Sequence, residues 1–262
     1  MATTCPATLD VPRLRAAIQS MYEEVAADPG GDFHFHRGLD YAVDFLRYDR
    51  SELEALPAAT TSRFAGVANP LRIGPIAPGE TVVDIGSGAG QDLLLAARRT
   101  GPAGRAIGVD MTAAMREVAL RSAAAAGLGA IVEVRAGLAE QLPLADAAAD
   151  VVISNGVLNL AADKEAAFGE IARVLRPGGR LHLGDVVIAM ELHMHERENV
   201  ELWAGCVAGA LLESELLALA ARAGLGEGRI VERFDCYRGT PVEMTVSRKL
   251  DVHAVNFSAR KV

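Results

Sequence analysis

From about residue 76, short apolar runs alternate with segments whose apolar residues recur at helical spacing. The runs predict strands, and the segments between them predict helices over 91–100, from 112 towards 127, and from about 163 to 176. Strands that are apolar throughout are covered on both faces, and alternation with helices places them in a parallel sheet. An α/β fold is therefore predicted. The predicted strands of this part are 81–85, 106–109, 131–134, 151–153 and 180–183.

The two ends of the chain have other patterns. Residues 11–27 predict an amphipathic helix and residues 50–57 a shorter one. Near the other end, residues 229–234 and 252–259 alternate like a closing pair of strands, which brings the predicted sheet to seven strands. The predicted division of the chain is an N-terminal helical cap that contributes to the acceptor site, 1–75, and a core, 76–262, with an inserted helical segment near 191–220.

Composition excludes several function classes. The chain has 262 residues, 50% hydrophobic and 23% charged, as in ordinary globular proteins. A net charge of −8 without a dense basic run argues against nucleic acid as a partner. The three cysteines show no CxxC spacing, which argues against a disulfide framework or structural zinc and for a reducing compartment. Because no apolar run reaches ~18 residues and no leader pattern opens the chain, we expect a cytoplasmic protein without membrane contact.

A glycine-rich turn follows the first predicted strand. The stretch Asp84-Ile85-Gly86-Ser87-Gly88-Ala89-Gly90 stands between a strand and a helix, where glycines allow a sharp turn and a close approach of the backbone to a ligand. Its spacing is GxGxG, since Gln91 stands where dinucleotide sites have a glycine. Asp110 ends the next strand, where a carboxylate can accept both hydroxyls of a ribose. A tight structural turn is the alternative interpretation, but together these features favour S-adenosylmethionine over NAD.

At these positions the sequence resembles class I S-adenosylmethionine-dependent methyltransferases, and the run RVLRPGG at 173–179 strengthens the resemblance. The resemblance implies a Rossmann-like, mostly parallel seven-stranded sheet with helices on both faces, an N-terminal helical cap, and S-adenosylmethionine as cofactor. It implies that Met111, Leu138 and Ala139 surround the adenine, although plain core packing is the alternative for Met111 and Leu138. Asn155 and Gly156 would lie beside the methionine part and the methyl group. The implied cofactor-binding residues are Asp84, Gly86, Ser87, Gly88, Gly90, Asp110, Met111, Leu138, Ala139, Asn155 and Gly156.

Three segments narrow the resemblance to arsenite methyltransferases. They are 108–112, 152–160 and 202–210, and the similarity runs with gaps from about Tyr48 to Lys261. As that family is known, it holds As(III) with three cysteine thiolates, which are soft ligands for a soft centre. The comparison of cysteine positions therefore bears directly on the acceptor.

The sequence departs from the family at two of the three cysteines. Cys206 stands at one family position, while Gly156 and Val67 stand at the other two. Cys5 and Cys236 do not stand at family positions. One thiolate cannot hold arsenite as three do, so arsenite becomes a secondary expectation as acceptor.

The expected function is an S-adenosylmethionine-dependent methyltransferase with a small-molecule acceptor, first a thiol, sulfide or heavier chalcogen. The alternatives are a true arsenite methyltransferase, an O- or C-methyltransferase of a secondary metabolite, and a non-catalytic S-adenosylmethionine-binding protein. An NAD-dependent dehydrogenase is disfavoured by Gln91.

Candidate catalytic residues in the cap are His34 and His36, in the stretch Phe33-His34-Phe35-His36. A histidine titrates near neutral pH and can serve as a general base for a hydroxyl or amine acceptor. Aromatic and imidazole rings could also line the acceptor site. The alternative is that the phenylalanines pack the cap and the histidines face solvent.

Candidate catalytic residues in the core are Cys206 and Asp185. Cys206 follows Trp203 by three residues in a predicted helix, and is either a residual soft ligand or a buried apolar residue. Asp185 lies just beyond the fifth predicted strand, where it could orient the acceptor or cap the next turn. His193 and His195 are two residues apart and do not share a helical face, so no metal site is predicted.

Overall fold

A mixed β-sheet forms the centre of the computed structural model, which describes residues 5–240, 243 and 250–262. Within these residues the sheet has eight strands, ordered β3-β2-β1-β4-β5-β8-β7, with β6 paired to β5. The strands are β1 Thr81–Ile85, β2 Arg105–Asp110, β3 Val132–Ala136, β4 Ala149–Asn155, β5 Leu175–Ile188, β6 Leu211–Leu212, β7 Leu225–Phe234 and β8 His253–Lys261.

Strand directions follow the expected pattern. Neighbouring strands from β3 across to β5 run parallel, whereas β8 is antiparallel to both β5 and β7. The predicted α/β fold with a mostly parallel sheet is confirmed, and the predicted closing pair corresponds to β7 and β8. The sheet has one strand more than the seven predicted. The additional strand is β6, which pairs with Val187 and Ile188 of β5. It has only two residues, too few to show a period in the sequence.

Helices precede the sheet and connect its strands. None of those in the described part of the chain is long and apolar enough to span a membrane. They are α1 Val11–Ala27, α2 Gly38–Asp44, α3 Arg50–Glu54, α4 Ala58–Thr61, α5 Gln91–Thr100, α6 Ala113–Ala125, α7 Lys164–Val174, α8 Met194–Arg197, α9 Val200–Ala204 and α10 Glu213–Arg222, with short 3-10 turns at Pro70–Arg72 and Leu158–Leu160.

Successive residues of β1 bury opposite faces of the sheet. Val82 belongs to the apolar cluster that contains Leu94 of α5, and Val83 to the cluster that contains Phe168 of α7 and Leu219 of α10. Both valines are fully buried. Since neighbouring side chains of a strand point to opposite faces, α5 covers one face and α7 and α10 the other. This is the two-sided cover that continuous apolar strands predict.

Two helix starts show how local sequence sets element boundaries. Asp163 begins α7, because its carboxylate accepts a hydrogen bond from the backbone N–H of Ala166 at 2.9 Å. Thr112 stands at the N-cap position of α6 as predicted, but its side chain makes no capping hydrogen bond. Its backbone N–H instead donates to Asp110 Oδ1 at 2.8 Å. The carboxylate of Asp110 therefore holds the backbone of the N-cap residue, and the first turn of α6 has no side-chain cap.

Helix α1 lies over the carboxyl ends of the parallel strands. Its first half packs through Leu14 and Ile18 in an apolar cluster with Trp203. Its last turn packs through Val25 in a cluster with Met115 of α6. The helix begins where the carboxylate of Asp10 accepts a hydrogen bond from the backbone N–H of Arg13 at 2.9 Å. The cap is thereby fixed to both α6 and α9.

The segment near 191–220 is not a continuous helix. It contains α8, α9, β6 and α10, and α9 ends at Ala204. The expectation that Trp203 and Cys206 share one helical face is therefore wrong. Cys206 lies in the turn after α9 with a φ of 62°, a left-handed conformation that non-glycine residues adopt rarely.

The packing of α5 generates a stability prediction. Leu94 is fully buried, whereas Leu120 on α6 is 46% exposed. We expect Leu94→Ala to lower the free energy of unfolding by about 2–5 kcal/mol, because it removes buried methyl groups and leaves a cavity. The matched control Leu120→Ala should cost less than about 0.5 kcal/mol. Urea unfolding of both variants checks this, and equal losses would contradict the assignment of Leu94 to the core.

Candidate functional site

The glycine-rich turn between β1 and α5 has a backbone that only glycine adopts readily. Gly86, Gly88 and Gly90 have φ angles of 71°, 50° and 94°. A Cβ atom at Gly86 would lie 2.2 Å from Val157 Cγ2, and one at Gly90 would lie 3.2 Å from Ala119 Cβ. A Cβ atom at Gly88 would meet no atom within 4 Å. Gly86 and Gly90 therefore allow close packing of the turn, whereas Gly88 leaves open space above it.

Asp110 connects the end of β2 to this turn. Its carboxylate accepts hydrogen bonds from the backbone N–H groups of Gly88 and Thr112, each at 2.8 Å. Burial raises the pKa of Asp110, and these two hydrogen bonds partly offset the effect. Each carboxylate oxygen has a second lone pair and can accept another hydrogen bond. The geometry thus leaves both oxygens able to accept ribose hydroxyls.

A cavity opens above the turn, between the carboxyl ends of the strands and α1. The centres of water molecules can occupy about 140 Å³ of it. Ten of the eleven predicted cofactor-binding residues line it; Gly90, which packs against Ala119, does not. The lining predicted residues are Asp84, Gly86, Ser87, Gly88, Asp110, Met111, Leu138, Ala139, Asn155 and Gly156.

Sequence reasoning placed the cap at the acceptor site but did not single out the residues of α1 that line this cavity. Arg15, Ile18 and Tyr22 of α1 all line it. Their spacing of three and four residues puts them on one side of the helix, a signal that was present in the sequence. Phe64 and Gly66, in the loop after α4, also line the cavity. Loop residues of this kind show no periodicity, and nothing local in the sequence singles them out.

Buried polar atoms of the cavity wall are left for a ligand. Ser87 Oγ and both amide atoms of Gln91 are buried and have no hydrogen-bond partner among the described residues. Both residues line the cavity. Buried polar groups are normally hydrogen-bonded, so these atoms fit a polar ligand such as a nucleoside with an amino-acid group.

Three carboxyl groups lie at this end of the sheet. Burial, together with the charges of Asp92 and Asp110, raises the pKa of Asp84 well above its usual range. Burial also raises the pKa of Asp92 to about 6, although the hydrogen bonds that Asn155 and Tyr48 donate to its carboxylate act to lower it. Such crowding favours a positively charged ligand, which S-adenosylmethionine is at its sulfonium and ammonium groups.

Asn155 joins the end of β4 to the loop after α4. Its Oδ1 accepts from the backbone N–H groups of Val67 and Ala68 at 2.9 and 3.1 Å. Its Nδ2 donates to Asp92 Oδ2 and to the carbonyl oxygen of Ala68, both at 2.9 Å. The side chain amide therefore positions the cavity wall. Next to it, Gly156 has a φ of 75°, and a Cβ atom there would lie 3.4 Å from Val67 Cγ1.

The predicted catalytic histidines do not line this cavity. His36 Nε2 lies 2.8 Å from the carbonyl oxygen of Arg238, and its ring stacks on Tyr41 with centroids 5.0 Å apart. His34 packs edge-on against Phe35 at 4.9 Å, and burial lowers its pKa. Neither histidine is fully exposed, so both belong to the packed cap. Their role in the reaction stays a prediction.

Asp185 accepts hydrogen bonds within the protein. Its carboxylate accepts from Asn159 Nδ2 at 2.5 Å, from the Asn159 N–H at 3.1 Å and from the Val186 N–H at 2.7 Å. Burial raises its pKa to about 6. It lines a small separate cavity together with Lys164. Asp185 lies within β5 and not beyond it as predicted, and its carboxylate holds the 3-10 turn after β4, not the turn that follows Asp185 in the sequence.

Cys206 lies one layer away from the main cavity. It packs in the apolar cluster that contains Met111 and Leu160, and both of these line the cavity. Burial, with a smaller contribution from the charge of Asp185, raises the pKa of its thiol to about 12. The thiol is therefore neutral at physiological pH. Cys236 is buried in the other large cluster, to which Cys206 also packs.

No group of three or more histidine, cysteine, aspartate or glutamate side chains in the described ranges could hold a metal ion. His193 stands at the N-cap of α8 and stacks on His195 with ring centroids 5.8 Å apart.

Comparisons with known proteins show which family this chain is similar to. A family model described as a methyltransferase domain matches residues 76–224. The arsenite methyltransferase of Halobacterium salinarum is 37% identical over 248 residues, covering 85% of this chain and 63% of that protein. The crystal structure of an arsenic(III) S-adenosylmethionine methyltransferase from Chlamydomonas reinhardtii is 32% identical, with a TM-score of 0.70, over 80% of this chain and 72% of that chain.

A more distant structure is similar in fold. The geranyl diphosphate C-methyltransferase of Streptomyces coelicolor is 19% identical with a TM-score of 0.63, over 95% of this chain and 98% of that chain. The chain thus spans the whole of one methyltransferase fold, but only 63% of the length of the Halobacterium salinarum protein.

Asp110 generates a binding prediction. We expect Asp110→Ala to weaken binding of S-adenosylmethionine by about 1.5–3 kcal/mol, more than about tenfold in Kd, because it removes charge-assisted hydrogen bonds to the ribose and to the glycine turn. The control Asp40→Ala removes a carboxylate that is 78% exposed on α2 and should leave Kd unchanged. Calorimetric titration measures both. An unchanged Kd for the Asp110 variant would remove this residue from the cofactor site.

Lys164 generates a pH prediction. The lysine is buried, its Nζ donates to the carbonyl oxygen of Ala161 at 2.9 Å, and Nζ lies 4.4 Å from the centroid of the Trp203 ring. Burial lowers its pKa to about 7 from 10.5, and the charge of Asp185 opposes the shift. Between these values the unfolded chain binds more protons than the folded one. The contribution of Lys164 to stability therefore rises as pH increases through this window.

Lys164→Met keeps the apolar stem and removes the titrating group. The melting temperature of the wild type, measured relative to this variant, should rise between about pH 7.5 and about pH 9.5. Thermal unfolding at both pH values tests this, and a constant difference would show that Lys164 titrates normally.

Proposed function

Since the chain belongs to the S-adenosylmethionine-dependent methyltransferase family, we propose that it transfers a methyl group to a small molecule with a soft nucleophilic atom, first a thiol, sulfide or heavier chalcogen. The observation that supports this proposal is the set of residues that form the cavity wall. Its cofactor side has the glycine turn and crowded carboxyl groups, whereas Gly156 presents no side chain to the cavity and neither of the histidines predicted as bases lines it.

The residues present fit the methyl donor. Asp110 would accept the ribose hydroxyls, and Met111, Leu138 and Ala139 would pack around the adenine. The open space above Gly88 would take the cofactor close to the backbone of the turn. Asp84 would interact favourably with the positive charges of the methionine part, which in turn would favour its ionised form.

Bound S-adenosylmethionine supplies a methyl group on a positively charged sulfur, and the acceptor lone pair forms the new bond as the carbon–sulfur bond breaks. The protein needs to align the acceptor with that methyl group and to exclude water. Helix α1 does the second of these, because Ile18 and Tyr22 cover the cavity. A thiol loses its proton readily to water, so such an acceptor needs no base from the protein.

Soft acceptors are favoured over hydroxyl acceptors because the histidines predicted as bases do not line the cavity. Within the described residues, neither His34 nor His36 lines the cavity. The Cys206 thiol, neutral and one layer behind Met111, would not compete as a methyl acceptor, because the thiolate is the nucleophilic form.

Arsenite is a second candidate because of one further observation. Cys236 packs in the same apolar cluster as Cys206, although it is not at a family position. The two chain segments are joined where Tyr237 Oη donates to the carbonyl oxygen of Gly205 at 3.4 Å. Two thiols could therefore approach one arsenic atom, each losing a proton as an As–S bond replaces an As–O bond and water leaves.

The experiment follows labelled methyl from S-adenosylmethionine to a small thiol, to selenide and to arsenite in separate reactions. We expect label on the thiol or the selenide, at a rate that rises with pH as the acceptor ionises. Label only on hydroxyl or carbon acceptors would contradict the proposal. Tight binding of S-adenosylhomocysteine without transfer to any acceptor would favour a non-catalytic protein.

Cysteine variants separate the two candidates. With a thiol acceptor, Cys206→Ser, Cys236→Ser and the control Cys5→Ser should change the rate by less than about threefold, under 1 kcal/mol of barrier. Any transfer to arsenite should be lost in the Cys206 and Cys236 variants and kept in the Cys5 variant. Loss of thiol methylation in Cys206→Ser alone would make this sulfur part of the acceptor site for every substrate.

A further inference from the structure

A second cavity lies on the sheet away from the proposed methyltransferase site. The centres of water molecules can occupy about 420 Å³ of it. It shares no lining residue with the cofactor cavity. It lies over β5, β8 and β7, on the amino-terminal half of β5, whereas the cofactor cavity lies at the carboxyl ends of the parallel strands.

Strand register builds the floor of this cavity. His182 of β5 pairs with Ser258 of β8, and Ser258 pairs with Arg229 of β7. Two register rows further, and so on the same face, Arg180 of β5 pairs with Arg260 of β8. Residues that pair across antiparallel strands point to the same face, so these five side chains share one surface.

Positive charge exceeds negative charge on this surface. Arg180 donates to both carboxylate oxygens of Glu80, at 2.7 and 2.9 Å, and Arg260 Nε lies 3.7 Å from Glu227 Oε2. Arg229 has neither a carboxylate nor a carbonyl partner in the described part of the chain. Arg180 and Arg260 lie directly opposite each other, and two like charges in such a pair repel. Glu80 and Glu227 offset the charges of these two arginines only. The guanidinium of Arg229 remains uncompensated.

Two residues that line the same cavity each have a buried polar atom without a partner. His182 is only 2% exposed, and its Nδ1 makes no hydrogen bond to any described residue. Arg180 Nε is also buried and unpartnered there. Burial, with the charge of Arg180, lowers the pKa of His182 to about 4, so the imidazole is neutral and one of its ring nitrogens carries a proton. An unsatisfied buried donor destabilises the folded state, and a bound acceptor would recover that loss.

We propose that this cavity binds a small anion, whose phosphate or carboxylate group accepts hydrogen bonds from Arg229, Arg180 Nε and His182 Nδ1. Arginine forks match both groups, because two N–H bonds can point at two oxygens of one anion. Glu80 and Glu227 also line this cavity and would repel an anion of high negative charge. We therefore expect the ligand to carry a low charge. The site is independent of the proposed methyl transfer.

The test measures the melting temperature against inorganic phosphate and, separately, against acetate, with chloride keeping ionic strength constant. S-adenosylhomocysteine is present throughout to occupy the cofactor cavity. We expect a saturable rise with at least one anion, because a ligand that binds only the folded state stabilises it. The anion that gives the rise identifies the group that the site prefers.

Arg229→Gln should weaken the apparent affinity for that anion by about tenfold or more, as expected for one lost charge-assisted hydrogen bond. The matched control Arg13→Gln removes an exposed arginine on α1 and should respond like the wild type. His182→Phe removes the unpartnered nitrogen, and should likewise abolish the response while leaving the unliganded protein folded. No saturable response in the wild type, or equal responses in Arg229→Gln and wild type, would overturn the proposal. Since neither anion is a methyl acceptor, this result does not depend on whether transfer activity is found.

Discussion

The amide of Asn155 holds the cofactor end of the sheet to the rest of the molecule. Its oxygen accepts from the loop at Val67 and Ala68, and its nitrogen donates to Asp92 in the first turn of α5. One side chain at the end of β4 therefore fixes both the cap loop and the helix that follows the glycine turn. A Cβ atom at Gly66 would lie 2.4 Å from Asn155 Nδ2, so the loop can approach this closely only with glycine there. The shape of the cavity depends on this contact.

Charge is distributed unevenly around that cavity. Asp84, Asp92 and Asp110 are buried close together, and burial raises the pKa of each. Holding carboxyl groups this way is unfavourable in the empty protein and becomes favourable when a cation binds beside them. These carboxyl groups therefore fit the positive charges of S-adenosylmethionine.

Prediction from sequence succeeded where a function needs a local pattern. The glycine spacing, Asp110 at a strand end and Met111 directly after it are close in sequence, and they are close in the structure. The role of Asn155 in positioning the cap loop was not predictable, because its partners lie 63 to 88 residues away. Arg15, Ile18 and Tyr22 could have been found from their helical spacing. The two-residue strand β6 and the turn that takes Cys206 off α9 have no periodic signal at all.

The acceptor side follows from what stands at the end of β4. Gly156 takes a φ of 75°, so a side chain there would strain the backbone, and its missing Cβ leaves room towards Val67. A cysteine at both positions would turn this contact into a pair of thiols, whereas glycine and valine make it apolar. An apolar wall does not stabilise the charge of a hydroxyl group that loses its proton. Burying a polarisable sulfur or selenium atom against the same wall costs little free energy. A thiol, sulfide or selenide acceptor, as proposed above, would therefore need no base from this wall.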